Sequence, residues 1–182
     1  MAIFYSSGHH LRGANGEDPG AVANGFKENE LVQEFEGFVL PEIRKFGNTV
    51  FTDTPTETLS QYLNRIKPGT SSVVCETHFN AFNGRATGVE VIVPNNPTQD
   101  ERNLASEICQ QFSLIMGIPN RGVRTEGQTA RGRLALMREE GMNVLIEICF
   151  IDNPDDMRRY QATKRQLAIK LADILVKYDN LR

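Results

Sequence analysis

The chain has no apolar window of about 18 residues, which excludes a membrane-spanning helix and membrane insertion by that route. No basic stretch with an apolar core precedes Gly8, so no secretory signal is expected and synthesis in the cytoplasm follows. Basic and acidic side chains nearly cancel, 20 against 23, and no basic run or basic helix face occurs. A nucleic-acid partner is therefore disfavoured. The three cysteines, Cys75, Cys109 and Cys149, are odd in number and lie in apolar stretches, which argues for buried reduced thiols rather than a disulfide framework. Repeats, linkers and low-complexity segments are missing, and 182 residues suit one domain that buries roughly two thirds of its unfolded surface. The H-E-x-x-H signature of helix-borne zinc sites is missing too.

What the chain does have is a rhythm of strands and helices. Val73-Val74-Cys75-Glu76-Thr77-His78 is an apolar run of β-formers between Gly69-Thr70-Ser71-Ser72 and Asn83-Gly84, and it predicts an inner strand covered on both faces with His78 at its carboxyl end. Ligands of open α/β sheets bind at that edge. Further strands are expected at Ala2–Tyr5, Asn48–Thr52, Gly88–Val93 and Asn143–Phe150, with a short one at Gly122–Arg124. Leu31, Phe35, Phe38, Val39 and Ile43 mark a first helix that opens near Glu28 and Glu30 and stops at Gly47. Leu59 to Ile66 gives a second and Leu104 to Ile115 a third, while Leu134 to Glu140 gives one or two helical turns and Pro154 to Tyr178 a long amphipathic helix. The predicted fold is an α/β three-layer sandwich of one domain, residues 1–182, with a mixed, mostly parallel sheet of about six strands flanked by helices. Gly8 to Gly25 reads as a long glycine-rich loop, of the kind that carries function.

Four residues stand out chemically. His9 follows the first strand, Glu28 opens the first helix, His78 ends the central strand, and Glu147 lies inside the apolar run Asn143–Phe150, where a charge is costly unless paired or metal-bound. Catalytic zinc takes three protein ligands of the His and carboxylate type and keeps a position for water, with a carboxylate nearby. Separately, His9 and His10 could be solvated, Glu28 and Glu30 could serve the helix dipole, and Glu147 could pair with Arg131 or Arg133. Glu76 shares a strand face with His78 and could be a rival ligand or an acceptor that fixes the imidazole tautomer.

Several segments, in order, resemble the zinc-dependent N-acetylmuramoyl-L-alanine amidases of autolysins, sporulation enzymes and phage endolysins. Ser7-Gly8-His9 is similar to the family's Pro-Gly-His, Asp18-Pro19-Gly20-Ala21 with Gly25-Phe26-Lys27-Glu28 to its Asp-Pro-Gly-Ala and Gly-x-Lys-Glu, and Thr77-His78-Phe79-Asn80-Ala81 to its Ser-Ile-His-x-Asn-Ala. Gly88-Val89-Glu90, Arg121-Gly122-Val123 and Leu145-Ile146-Glu147-Ile148-Cys149-Phe150-Ile151-Asp152-Asn153 match Gly-x-Glu, Arg-Gly-Val and Leu-Val-Glu-x-Gly-Phe-x-Ser-Asn. His10, Glu76, Cys149 and Asp152 depart from the pattern, the last two at what would be the floor of the site.

The resemblance implies one zinc ion held by His9, Glu28 and His78, with Glu147 as the general acid/base. It also implies peptidoglycan as the substrate, cut between N-acetylmuramic acid and the L-alanine of the stem peptide. A zinc peptidase acting within the stem and a noncatalytic wall-binding module are the alternatives. Cytoplasmic synthesis combined with action on the wall fits a phage-type endolysin released through a membrane lesion.

Overall fold

A six-stranded sheet organises the chain in the computed structural model, which describes residues 2–13 and 16–181. In chain order the elements are β1 (Ile3–Ser7), β2 (His10–Gly13), β3 (Gly16–Asp18), β4 (Val22–Ala23), β5 (Phe26–Lys27), α1 (Glu28–Lys45), β6 (Val50–Thr52), α2 (Leu59–Arg65) and β7 (Val73–Asn80). Then come β8 (Val89–Val93), α3 (Gln99–Met116), β9 (Asn120–Thr125), β10 (Met142–Phe150) and α4 (Pro154–Asp179), with 3-10 turns at Glu126–Gln128 and Ala135–Arg138. The sheet order is β6-β1-β7-β10-β8-β9. β6, β1, β7 and β10 run parallel, β8 runs antiparallel to β10, and β9 is parallel to β8. This is the mixed, mostly parallel α/β sheet that the pattern predicts.

The alternation of each strand sorts its side chains onto two faces. Ile3, Tyr5, Val73, Cys75, Val144, Ile146 and Val91 pack with α1, α3 and α4 in the main core. On the opposite face Phe4 and Val74 meet Tyr62 of α2, Ile66 just beyond it and Leu136, and Ile92 and Leu145 meet Met137. The three layers are thus unequal, three long helices on one side and one short helix with a 3-10 turn on the other. The helix starts obey local chemistry. Thr58 with Gln61 and Thr98 with Glu101 close capping boxes, and Asn153 caps α4 ahead of Pro154. The three cysteines are free and buried.

The structure corrects several sequence expectations. The Gly8–Gly25 stretch, of which Ala14 and Asn15 lie outside the described residues, holds two small antiparallel ribbons, β2 with β3 and β4 with β5. Their two to four residues are too short for a period to register. β9 extends to six residues, and the expected helical turns near Leu134 reduce to the 3-10 turn at Ala135–Arg138.

Beside β1 lies a buried acidic pair, Glu36 and Asp53. Ser7 Oγ donates to Glu36 Oε2 (2.9 Å), Thr52 Oγ1 donates to Glu36 Oε1, and the Ser7 backbone N–H donates to Asp53 Oδ1 (3.3 Å). Burial, reinforced by the Glu36 charge, pushes the Asp53 carboxyl up to about 8. A carboxyl raised in this way contributes its stability fully at acid pH and loses it as pH climbs through the folded value. Asp53→Asn keeps an acceptor for Ser7 and removes the charge. Its Tm gain over the parent is expected to be small near pH 4 and to grow toward pH 8 in thermal melts; a pH-independent difference would contradict the account.

Candidate metal centre

Three strands in register set the floor of a cleft of about 950 Å³. His78 on β7 lies beside Glu147 on β10, and Glu147 lies beside Glu90 on β8, so adjacent strands place one functional group each in a row. Glu76, two residues before His78, occupies the same face. Toward the other end of the strands this face is apolar, with Val74, Leu145 and Ile92. The polar row therefore sits at the carboxyl ends of β7 and β10, as in other open α/β sheets.

Glu28 and His9 arrive from the chain that follows β1. The first turn of α1 and the preceding loop are tied together, since Glu28 N donates to Ala21 O (2.9 Å) and Asn29 N to Pro19 O (3.1 Å). Glu28 Oε2 accepts from Ala21 N (2.8 Å) and Oε1 from Phe79 N (2.9 Å), which fixes the carboxylate between the helix start and the end of β7. Its two oxygens then face two imidazoles, Oε1 at 2.8 Å from His78 Nδ1 and Oε2 at 3.3 Å from His9 Nε2. One ligand atom from each of His9, Glu28 and His78 lies within 4.8 Å of the others, and this group could hold a metal ion.

A carboxylate lies behind each ring. His78 Nε2 is hydrogen-bonded to Glu76 Oε1 at 2.6 Å, whereas Asp18 Oδ2 stands 3.0 Å from His9 Nδ1 at ion-pair distance without hydrogen-bond geometry. A carboxylate behind an imidazole fixes its tautomer and turns the other nitrogen's lone pair inward. Glu76 lies behind the His78 ring and outside the three-residue group, and His10, also outside it, contributes its backbone carbonyl to Asn29 Nδ2 (3.2 Å). Asp18 reaches His9 because the β2–β3 ribbon pairs His10 with Asp18.

Two glycines make room for this cluster. A Cβ on Gly8 would stand 2.2 Å from the His78 ring, and one on Gly20, whose φ is +64°, would stand 2.5 Å from His9 and 2.6 Å from Glu28 Oε2. Close approach, more than loop flexibility, explains both.

The electrostatics describe a site rich in negative charge. Burial by itself would lower the His78 imidazolium, but the Glu28 and Glu76 carboxylates outweigh it and hold it well above its ordinary value. Glu28, although burial would raise it, is held well below the usual carboxylate range by His78 and His9. Glu147 has no ion pair with Arg131 or Arg133 among the described residues, and its Oε2 has no hydrogen-bond partner. Burial, with help from the Glu28 and Glu90 charges and against the pull of His78, pushes Glu147 up to about 7.

Some neighbours carry roles that the residue pattern did not assign. Glu90 sits between Arg121 Nε (2.8 Å) and Arg124 Nε (3.2 Å) and also accepts from Asn80 Nδ2 (3.1 Å). A lone carboxylate in Val89-Glu90-Val91 is the same signal that singles out Glu147. Cys149 and Asp152 are not on the floor. Cys149 is in the main core, and Asp152 Oδ2 accepts from Phe82 N (3.0 Å) and Gly84 N (2.7 Å), anchoring the loop that holds Phe82 at the cleft mouth. The strand register shifts between Glu147 and Phe150, so counting alternate residues beyond Glu147 no longer predicts the face.

Sheet and donor set together define an α/β protein with a His, Glu, His group at its strand ends that could hold a metal ion. Residues 4–176 match the family model described as N-acetylmuramoyl-L-alanine amidase, and the chain belongs to that family. It is 30% identical over 112 residues to an uncharacterized cell wall amidase of Bacillus anthracis, an alignment that spans 57% of this chain and 20% of that relative. The fold is similar to the catalytic domain of the CD27L endolysin targeting Clostridia difficile, with a TM-score of 0.74, 20% identity and 97% of both chains covered. It is equally similar to the catalytic domain of CwlV, an amidase from Bacillus (Paenibacillus) polymyxa, with a TM-score of 0.76, 18% identity and all of both chains covered. Among the described residues no helix is long and apolar enough to cross a membrane.

Proposed function

We propose that this chain is a zinc-dependent N-acetylmuramoyl-L-alanine amidase that hydrolyses the amide between the lactyl group of N-acetylmuramic acid and the L-alanine of the stem peptide in bacterial cell-wall peptidoglycan. The convergence of His9, Glu28 and His78, with Glu147 beside His78 and its Oε2 free, is the observation that carries the reading. Two imidazoles and one carboxylate are the donor set of hydrolytic zinc sites, and the carboxylates behind both rings suit ligands of a dication. Zinc held there would supply Lewis-acid polarisation of the scissile carbonyl and acidify a water.

The protein's own part follows from position. Glu28, His9 and His78 would hold the metal. Glu147, near 7 by virtue of its surroundings, is poised to accept a proton from the attacking water and hand it to the departing L-alanine nitrogen. Such a shuttle needs a group whose proton affinity lies between those of its two partners, and an ordinary surface glutamate would hold the proton too weakly. Action on the cell wall, and release of the endolysin type, belong to the same proposal.

Digestion of purified peptidoglycan with the zinc-loaded protein, followed by mass spectrometry, tests it. Stem peptides with a free L-alanine amino end are expected, and chelation should remove the activity until zinc is restored. Fragments cut inside the stem would indicate a peptidase, and wall binding without any cleavage a noncatalytic module.

A further inference from the structure

The floor of the cleft is acidic, yet one wall is arginine. Arg121, Arg124, Arg131 and Arg133 all line it, and they come from β9 and from the loop that follows. Two are spoken for, since Arg121 and Arg124 share Glu90. Arg131 and Arg133 are exposed, and no ion pair or side-chain hydrogen bond engages either guanidinium among the described residues.

The loop that carries them is firmly built. Glu126 is fully buried and serves as its internal post, its Oε2 accepting from Leu134 N (2.9 Å) and its Oε1 from Arg138 Nη2 (2.6 Å) and Asn95 Nδ2 (3.3 Å). Its backbone carbonyl accepts from Thr129 N (3.0 Å) and Thr129 Oγ1 (2.7 Å), and the Thr129 carbonyl in turn accepts from Gly132 N (3.2 Å). Two guanidiniums that make no ion pair or side-chain hydrogen bond among the described residues, on an anchored loop beside the cleft, form a preorganised site for an external anion, although the Arg131 charge is also felt by Glu147. Arg131 borders both the main cleft and the adjoining 320 Å³ pocket, so it stands next to the metal centre rather than at the far rim.

We infer that Arg131 and Arg133 bind a free carboxylate of the leaving peptide, close after the scissile amide, and so make the enzyme selective for stems whose second residue keeps its α-carboxylate over stems in which that group is a primary amide. The inference rests on the amidase reading, under which the peptide side of the substrate is the side that carries carboxylates. A primary amide offers an arginine one neutral acceptor instead of two charged ones, which weakens the contact.

The test compares the zinc-loaded full chain on two synthetic muramyl peptides that differ in that single group. The parent protein is expected to favour the acid by about ten- to a hundredfold in kcat/KM, the effect of one or two charge-assisted contacts. In the Arg131→Ala/Arg133→Ala protein the preference should collapse toward one, with the loss mainly in KM for the acid. The charge-reversed Arg131→Glu/Arg133→Glu protein should prefer the amide, which a purely structural role for the loop would not produce. Equal cleavage of both substrates by the parent, or an undiminished preference in the variants, overturns the inference while leaving the amidase reading intact. Cleavage of neither substrate overturns both.

Discussion

Glu147→Gln is expected to lower turnover by about 10²- to 10⁴-fold, the range that a general acid/base supplies, while zinc content and fold stay as in the parent. Glutamine has nearly the same shape and reaches the same place beside His78, but its amide cannot take a proton from water at neutral pH. The substitution also removes one negative charge from a site where Glu28 and Glu90 already crowd Glu147, so no loss of stability is expected. Metal analysis, thermal melts and the peptidoglycan assay on one preparation separate the roles. Retention of more than about a tenth of the parent rate would place the base elsewhere, and Glu90, next in the row on β8, would be the group to examine.

The parent's pH profile should agree. The proposed mechanism requires ionised Glu147, so kcat/KM is expected to fall as pH drops through the value of that group, about 7 from the protein surroundings and lower once a dication is bound nearby. The variant should lose this acid limb.

How far the residues alone disclose this site depends on what holds each one. Glu147 is legible because a carboxylate within Val144-Leu145-Ile146 and Ile148 breaks an otherwise apolar strand, and His78 because it ends one. His9 and Glu28 are each unremarkable in isolation, and they become legible as a set through their position at element boundaries and through the family segments around them. Asp18 is not legible. Its link to His9 depends on a ribbon of a few residues whose pairing carries no periodic signal. The arginine wall hides for a similar reason, since Arg131 and Arg133 are placed by the buried Glu126 and its bonds across an irregular loop. Sheet order, with β10 between β7 and β8, comes from tertiary packing, and it is this order that lines up His78, Glu147 and Glu90.

The second large effect concerns metal affinity. His78→Ala removes a donor and should leave the protein without zinc after ordinary purification. Gly8→Ala adds one methyl group outside the donor set and should come close to the same result, because the new Cβ would occupy the space of the His78 ring at 2.2 Å. The ring has little freedom to yield, with Glu28 on Nδ1 at 2.8 Å and Glu76 on Nε2 at 2.6 Å. Glu76→Gln should do less: it keeps an oxygen for the ring but gives up the charge, and losing such a supporting carboxylate typically costs about 10- to 100-fold in affinity. Competition against a chromophoric chelator orders the series, with the parent tightest, then Glu76→Gln, Gly8→Ala and His78→Ala. If Gly8→Ala binds zinc as tightly as the parent, the imidazole can move aside at no cost, and the tight packing of glycine against His78 is not what positions the metal ligand.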